Sequence, residues 1–497
     1  MPMRLPSFTS VTTAVLTLLM TLAVTNLLLA AEDDYEAPPS FKASEILSIT
    51  PELLEGEHFK VREDVANDGY WDYYIIDTPW GEFQAHGWLS LRKMVREIEA
   101  IGTIEGMTKT AHFTDSVIDA GLEPVETAAQ IIIHPIQTAK HLPTGIKHMF
   151  QRYGRRAKKV MEVSKKIATG DRTIKDVDPR MAEACASGEE PYPGACDEEG
   201  YVDDLKDVAR RYFDVSEAMR ELHRDLGTDP YTSNEVLYEA VKKISWVGGL
   251  GQYGTRKANP LRQVEAVGLA NKVYRFGWSM EPFEFRAELD KILIENGIPA
   301  KDRVYFLNNP YLTPTKQAFI VMSLQEMDDV EGRANILDWA ADSRNEDEAV
   351  YSAASVALAA WYHARHPVKR FLPDAILPTM ETQDGAIISL MPIDHLSWTE
   401  EVAVLIEAAL ERPEFQTDAP KTVWLMNRSS ERAKEEIRSR GFEIYEDGYK
   451  DLLASNEYLE FDGYPEDWTY GREADRPDLY KTELEQEQEK ERDESDR

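Results

Sequence analysis

Between residues 385 and 447 the chain alternates strand and helix patterns joined by short loops, and few folds accommodate that order. GAIISLMPI is a continuous apolar run of strand type, and SWTEEVAVLIEAALE carries helical spacing. KTVWLMN is a second strand, SSERAKEEIRSRG a helix closed by Gly441, and FEIYED a third strand. Strands joined through helices are parallel, with right-handed crossovers, so residues 367–469 are expected to hold a small three-stranded parallel α/β (βαβαβ) unit. Ser397 and Glu400 have the spacing of a capping box at the start of its first helix.

Upstream the period changes twice. Residues 56–92 read at period two, in HFKVREDV, YWDYYIID and GEFQAHGWLSL, with turns at Asn67-Asp68-Gly69 and Pro79-Trp80-Gly81. A small antiparallel sheet of about three strands follows from that pattern, with Tyr70, Trp71, Tyr73, Tyr74, Trp80 and Trp88 covering a core. Residues 93–200 are helical but interrupted by Pro124, Pro135 and Pro143. Residues 201–366 read as a helical bundle with no repeat period, and Thr313-Pro314 is a helix start. The whole is α+β: a small N-terminal antiparallel sheet, a helical middle domain and the C-terminal α/β unit. Residues 32–55 read as a flexible lead-in, and 470–497 as an acidic charged tail without a core.

The N-terminal 31 residues carry one charge, Arg4, then an apolar run and the small pair Ala30-Ala31 before an acidic stretch. These are the parts of a signal peptide, which places the protein outside the cytoplasm, in a bacterial periplasm or cell envelope. Leu28 and Leu29 make the cleavage box imperfect, so a retained anchor is the alternative. In such a compartment Cys185 and Cys196, the two cysteines of the chain, read as a disulfide around a Pro/Gly loop. The net charge of −34 opposes general binding to nucleic acid, whose phosphates such a surface repels.

Several motifs suggest chemistry. Gly249, Gly251 and Gly254 fit the dinucleotide spacing G-x-G-x-x-G, but an amphipathic helix precedes them and Asn259-Pro260 delays the next helix. A dinucleotide loop needs a strand before it and a helix starting on it, so no nucleotide cofactor is expected. His363 and His366 lie one turn apart, and His134, His141 and His148 recur every seven residues, but neither set has the geometry of a metal site. Open parallel sheets bind ligands beyond the carboxyl ends of their strands. There Asp394, His395 and Arg428 are the candidates for acid–base work, and Ser429 reads as a helix cap.

One local reversal of charge stands out. Residues 118–170 run from apolar and small to basic, with Arg152, Arg155, Arg156, Lys158, Lys159, Lys165 and Lys166. That composition suits contact with an anionic lipid surface or an envelope protein. The resulting expectation is an exported, non-enzymatic interaction or scaffold protein, peripheral to a membrane through that segment. A hydrolase using Asp394, His395 and Arg428 is the alternative. For the cysteines the expected outcome is a Cys185–Cys196 bridge in protein isolated from an oxidising compartment. Thiol titration of unreduced, folded material should find none free, and two free thiols would remove the bridge.

Overall fold

The structure, a computed structural model, describes residues 35–108, 146–168, 214–245, 269–373, 376–446, 448 and 450–451. The two cysteines, the glycine-rich stretch, His134, His141 and the acidic tail lie outside the described residues.

The N-terminal sheet consists of β1 (Ser40–Lys42), β2 (Lys60–Val61), β3 (Asp64–Asn67), β4 (Asp72–Thr78) and β5 (Gly81–His86). Every pairing is antiparallel, in the order β1-β3-β4-β2, with β5 on β4. The two expected turns are where the pattern put them. The lead-in is different: residues 40–53 form β1, the helical turn Ala43–Ile46 and the 3-10 turn Pro51–Leu53, with Ala43 and Leu47 fully buried. These few apolar residues have too short a pattern to show periodicity, and pairing of β1 with β3 holds them.

The helices are α1 (Trp88–Thr108), α2 (Lys147–Ala168), α3 (Glu217–Leu226), α4 (Glu235–Ser245), α5 (Leu269–Ser279), α6 (Pro282–Glu295), α7 (Ala300–Leu307), α8 (Pro314–Gln325), α9 (Arg333–Ala341) and α10 (Glu346–His363). Thr313 caps α8 as expected, its hydroxyl accepting the Lys316 N–H, with Pro314 at the first helical position. None of the described helices is long and apolar enough to cross a membrane.

The C-terminal sheet comprises β6 (Val368–Phe371), β7 (Thr379–Thr382), β8 (Ile387–Met391), β10 (Lys421–Leu425) and β12 (Glu443–Tyr445), in the order β12-β10-β8-β7-β6. Between them lie β9 (His395–Leu396), α11 (Glu400–Leu410), β11 (Arg428–Ser429) and α12 (Glu431–Ser439). The three expected strands β8, β10 and β12 are parallel. Two further strands extend the sheet antiparallel at the β8 edge, which makes it mixed. The cap of α11 is Thr399, which accepts the Val402 N–H, so the helix starts two residues later than the Ser397–Glu400 spacing implied.

Both faces of this sheet are covered, which is why β8 reads as one apolar run instead of alternating. Ile388 and Leu390 join Trp424 in the core shared with the helical middle and the N-terminal sheet. Ile387 and Met391 join Val423 and Leu425 in a second core under α2 and α11. Phe150, Tyr153 and Ala157 of α2 are inside that second core.

One buried ion pair fastens α2 to the bundle. Arg152 donates to both carboxylate oxygens of Glu348 at 3.1 and 2.7 Å, and the two side chains are 8% and 1% exposed. Removing one member of such a pair strands a charge in a poorly solvating interior, at a cost of about 3 to 5 kcal/mol. Glu348→Leu should therefore lower unfolding stability by about that amount in urea titrations, and adding Arg152→Met should recover most of it. A loss under about 1 kcal/mol for Glu348→Leu would mean that the pair does not hold α2 in place.

Candidate functional site

The strand ends bring together the three side chains that sequence reasoning placed there. Asp394 follows β8, while His395 and Arg428 open β9 and β11, where they are partners in a short parallel ladder. Phe41 of β1 touches both: the Arg428 guanidinium lies 4.1 Å from its ring centre and the His395 ring 5.1 Å.

The crevice is filled by the chain's own N-terminal sheet. The turn between β3 and β4 enters it, and the Tyr70 carbonyl accepts the N–H groups of Asp394 and His395 at 3.0 Å each. The Gly69 carbonyl accepts the Ser397 N–H at 3.0 Å. Gly69 has φ +98°, a conformation that strains any residue with a side chain, and a Cβ there would stand 3.3 Å from Thr399 Cγ2, a tight contact. In return Asp394 Oδ2 accepts the Asp72 N–H at 3.0 Å, and its Oδ1 accepts the Trp88 N–H at 3.2 Å. Arg428 Nη2 donates to both oxygens of Asp72 at 2.9 and 2.8 Å, and Asn67 Nδ2 adds a bond of 2.9 Å. Asp72, Asp394 and His395 are all buried.

This is the geometry of a joint. Each Asp394 oxygen already accepts a backbone N–H, which leaves the group poorly placed to take a proton from a substrate. Burial, reinforced by the Arg428 charge, pushes His395 down to about 3, so the ring stays neutral. His395 Nδ1 and Arg428 Nε and Nη1 are buried without a hydrogen-bond partner, which lowers the stability of the joint. Asn67, Gly69 and Asp72 are the partners that sequence reasoning missed. Their turn was legible, but not that it docks 322 positions downstream.

The basic segment is also turned inward. Arg152 is buried against Glu348, so its expected surface contact does not hold. Arg156 pairs with Asp342 at 2.8 Å on half-buried ground, and Lys158 pairs with Glu400 of α11. Arg155 is exposed, and the side chains of Lys159, Lys165 and Lys166 lie outside the described residues. The helix turns this way because the core draws in apolar Phe150, Tyr153 and Ala157, and Arg152 is buried beside that apolar face against Glu348. Of the histidines, His363 uses both ring nitrogens, Nε2 with Asp329 at 3.1 Å and Nδ1 accepting the Val368 N–H at 3.1 Å, which leaves none for a metal. Among the described residues no cluster of His, Cys, Asp and Glu could hold a metal ion.

Comparison with protein-family models, curated proteins and solved structures gives no match.

Asp394→Ala should leave two buried N–H groups unpaired and cost about 2 to 4 kcal/mol in urea unfolding. His395 adds a pH dependence. Its folded pKa lies below its unfolded one, so its contribution is complete above about pH 6.5 and is lost as pH falls toward 3. His395→Gln should flatten the acid limb of stability against pH in that window. An unchanged slope would show that His395 is not held neutral by the fold.

Proposed function

We propose that the protein is an exported, non-enzymatic interaction or scaffold protein of the cell envelope. The observation that carries this reading is the closed crevice. At the place where a sheet of this type receives ligands, Asp394 and Arg428 are engaged by Asp72, Trp88 and the turn before β4. A side-chain set that locks two layers together supports a rigid scaffold more than turnover. The N-terminal apolar run before an acidic flank supports export. A membrane contact through residues 118–170 has less to rest on, because Arg152, Arg156 and Lys158 have partners within the protein.

The test compares wild type with His395→Gln on activated esters and phosphate esters. The expected result is background hydrolysis, the same for both. Hydrolysis by the wild type that disappears in a folded His395→Gln protein would establish the hydrolase reading in its place.

A further inference from the structure

Among the described residues five large hydrophobic side chains are exposed, and three of them gather on one pair of helices. Phe283 and Ile294 of α6 are 75% and 53% exposed, and Val304 of α7 is 60% exposed. Single apolar residues scattered over a surface need no explanation, but a contiguous patch marks a contact site. Helical spacing places Phe283, Ala287, Asp290 and Ile294 in one narrow stripe along α6. Pro282, Phe285, Leu289, Ile292 and Leu293 are buried on the far side and already fix α6 to the core. The stripe is a second, outward face of the same helix.

Its two edges differ. Along one runs α7: Arg286 Nη1 donates to the Leu307 carbonyl at 2.6 Å, and Arg303 Nε donates to Asp290 Oδ1 at 2.8 Å, with exposed Val304 next to Arg303. Along the other edge lie Glu284 and Lys291, both exposed and two helical turns apart. Asp290 stands in the middle of the stripe with its charge already met by Arg303. The pattern is apolar at both ends, small and ion-paired in the middle, and carries one acid and one base on its open edge. Such a pattern is complementary to itself when reversed end for end.

We propose that α6 is the contact face of a homodimer, packed antiparallel against α6 of a second copy. A two-fold axis through the middle of the stripe sets Phe283 against Ile294 of the second copy and Ala287 against Asp290, each twice. The small Ala287 leaves room for the Asp290–Arg303 pair. The same register brings Glu284 to within about 3 Å, along the axis, of Lys291 of the second copy, and the reverse pair forms at the other end. A parallel arrangement would instead set Arg286 against Lys291, two like charges. A lipid surface fits less well, since it would have to take in Asp290 and Arg303, and anionic headgroups repel a chain of net charge −34. The seam is short, so the dimer should dissociate in the micromolar range. The scaffold reading does not depend on this contact, and a failure here leaves it untouched.

The experiment is sedimentation equilibrium of the whole protein at about 0.15 M salt, where general charge repulsion is screened, with a reductant present so that Cys185 and Cys196 cannot link two chains. Wild type should show a reversible monomer–dimer equilibrium. Phe283→Asp should weaken it about tenfold or more, and an acid in the first turn of an exposed helix suits the helix dipole, so the variant should fold. Lys291→Glu opposes two carboxylates at both ends of the seam and should weaken the dimer likewise. Adding Glu284→Lys to Lys291→Glu exchanges the signs and should restore it. Circular dichroism checks each variant, and Phe283→Asp carries the test if the double variant unfolds. The proposal is overturned if wild type stays monomeric up to about 1 mM. It is equally overturned if Phe283→Asp dimerises as wild type does, or if the folded double variant is no tighter than Lys291→Glu alone.

Discussion

Three consecutive carboxylates in the first turn of α10 hold the parts of this protein together. Glu346 takes Lys316 and Ser233 from the bundle, Asp347 takes His86 Nδ1 of the N-terminal sheet at 2.9 Å, and Glu348 takes Arg152 of α2. Successive helical residues point about 100° apart, so adjacent side chains reach three different neighbours. The positive end of the helix dipole favours all three charges, and Asn345 accepts the Glu348 N–H at 2.8 Å to cap the turn. A single turn of helix thus sets the positions of the bundle, a sheet edge and a helix distant in sequence.

The second fastening is the joint at the strand ends, and the two cooperate. His86 ends β5 and is bound by Asp347; two residues later the Trp88 N–H reaches Asp394. Gly87 makes the connection, with φ +81° and its α-carbon close against the Trp71 ring, where a Cβ would stand 3.1 Å away. Polar groups on both sides are buried, so loosening either fastening exposes unpaired charge to an apolar interior. That cost gives the joint its specificity: few other dockings of the N-terminal sheet could satisfy Asp72, Asp394 and Arg428 together.

Tertiary context also decides what the basic residues do. In sequence, Arg152 to Lys158 is a charge cluster of one sign inside an acidic protein, and it reads as a surface for an acidic partner. For Arg152, Arg156 and Lys158 acidic partners lie within the protein. Acids at 342, 348 and 400, at the end of α9 and in the first turns of α10 and α11, each pair with a basic residue of α2. Charge patterning along a chain gives sign and density, but pairing depends on which helices are neighbours in space.

The sequence by itself determined the local elements and the parallel order of β8, β10 and β12. Those depend on hydrophobic period, turn residues and short connections, all of which act over a few residues. It also brought Asp394, His395 and Arg428 to one place, because loops after adjacent parallel strands emerge at the same edge. Only the tertiary structure decided what those residues do there. Whether a carboxylate stays open to a substrate or accepts backbone N–H groups depends on what docks against it. The docking turn at Asn67 to Asp72 lies more than three hundred residues away, with no local signal for its destination. Strands β1, β6 and β7 were missed for the same reason: each is short, and partners across the sheet, not its own pattern, make it a strand.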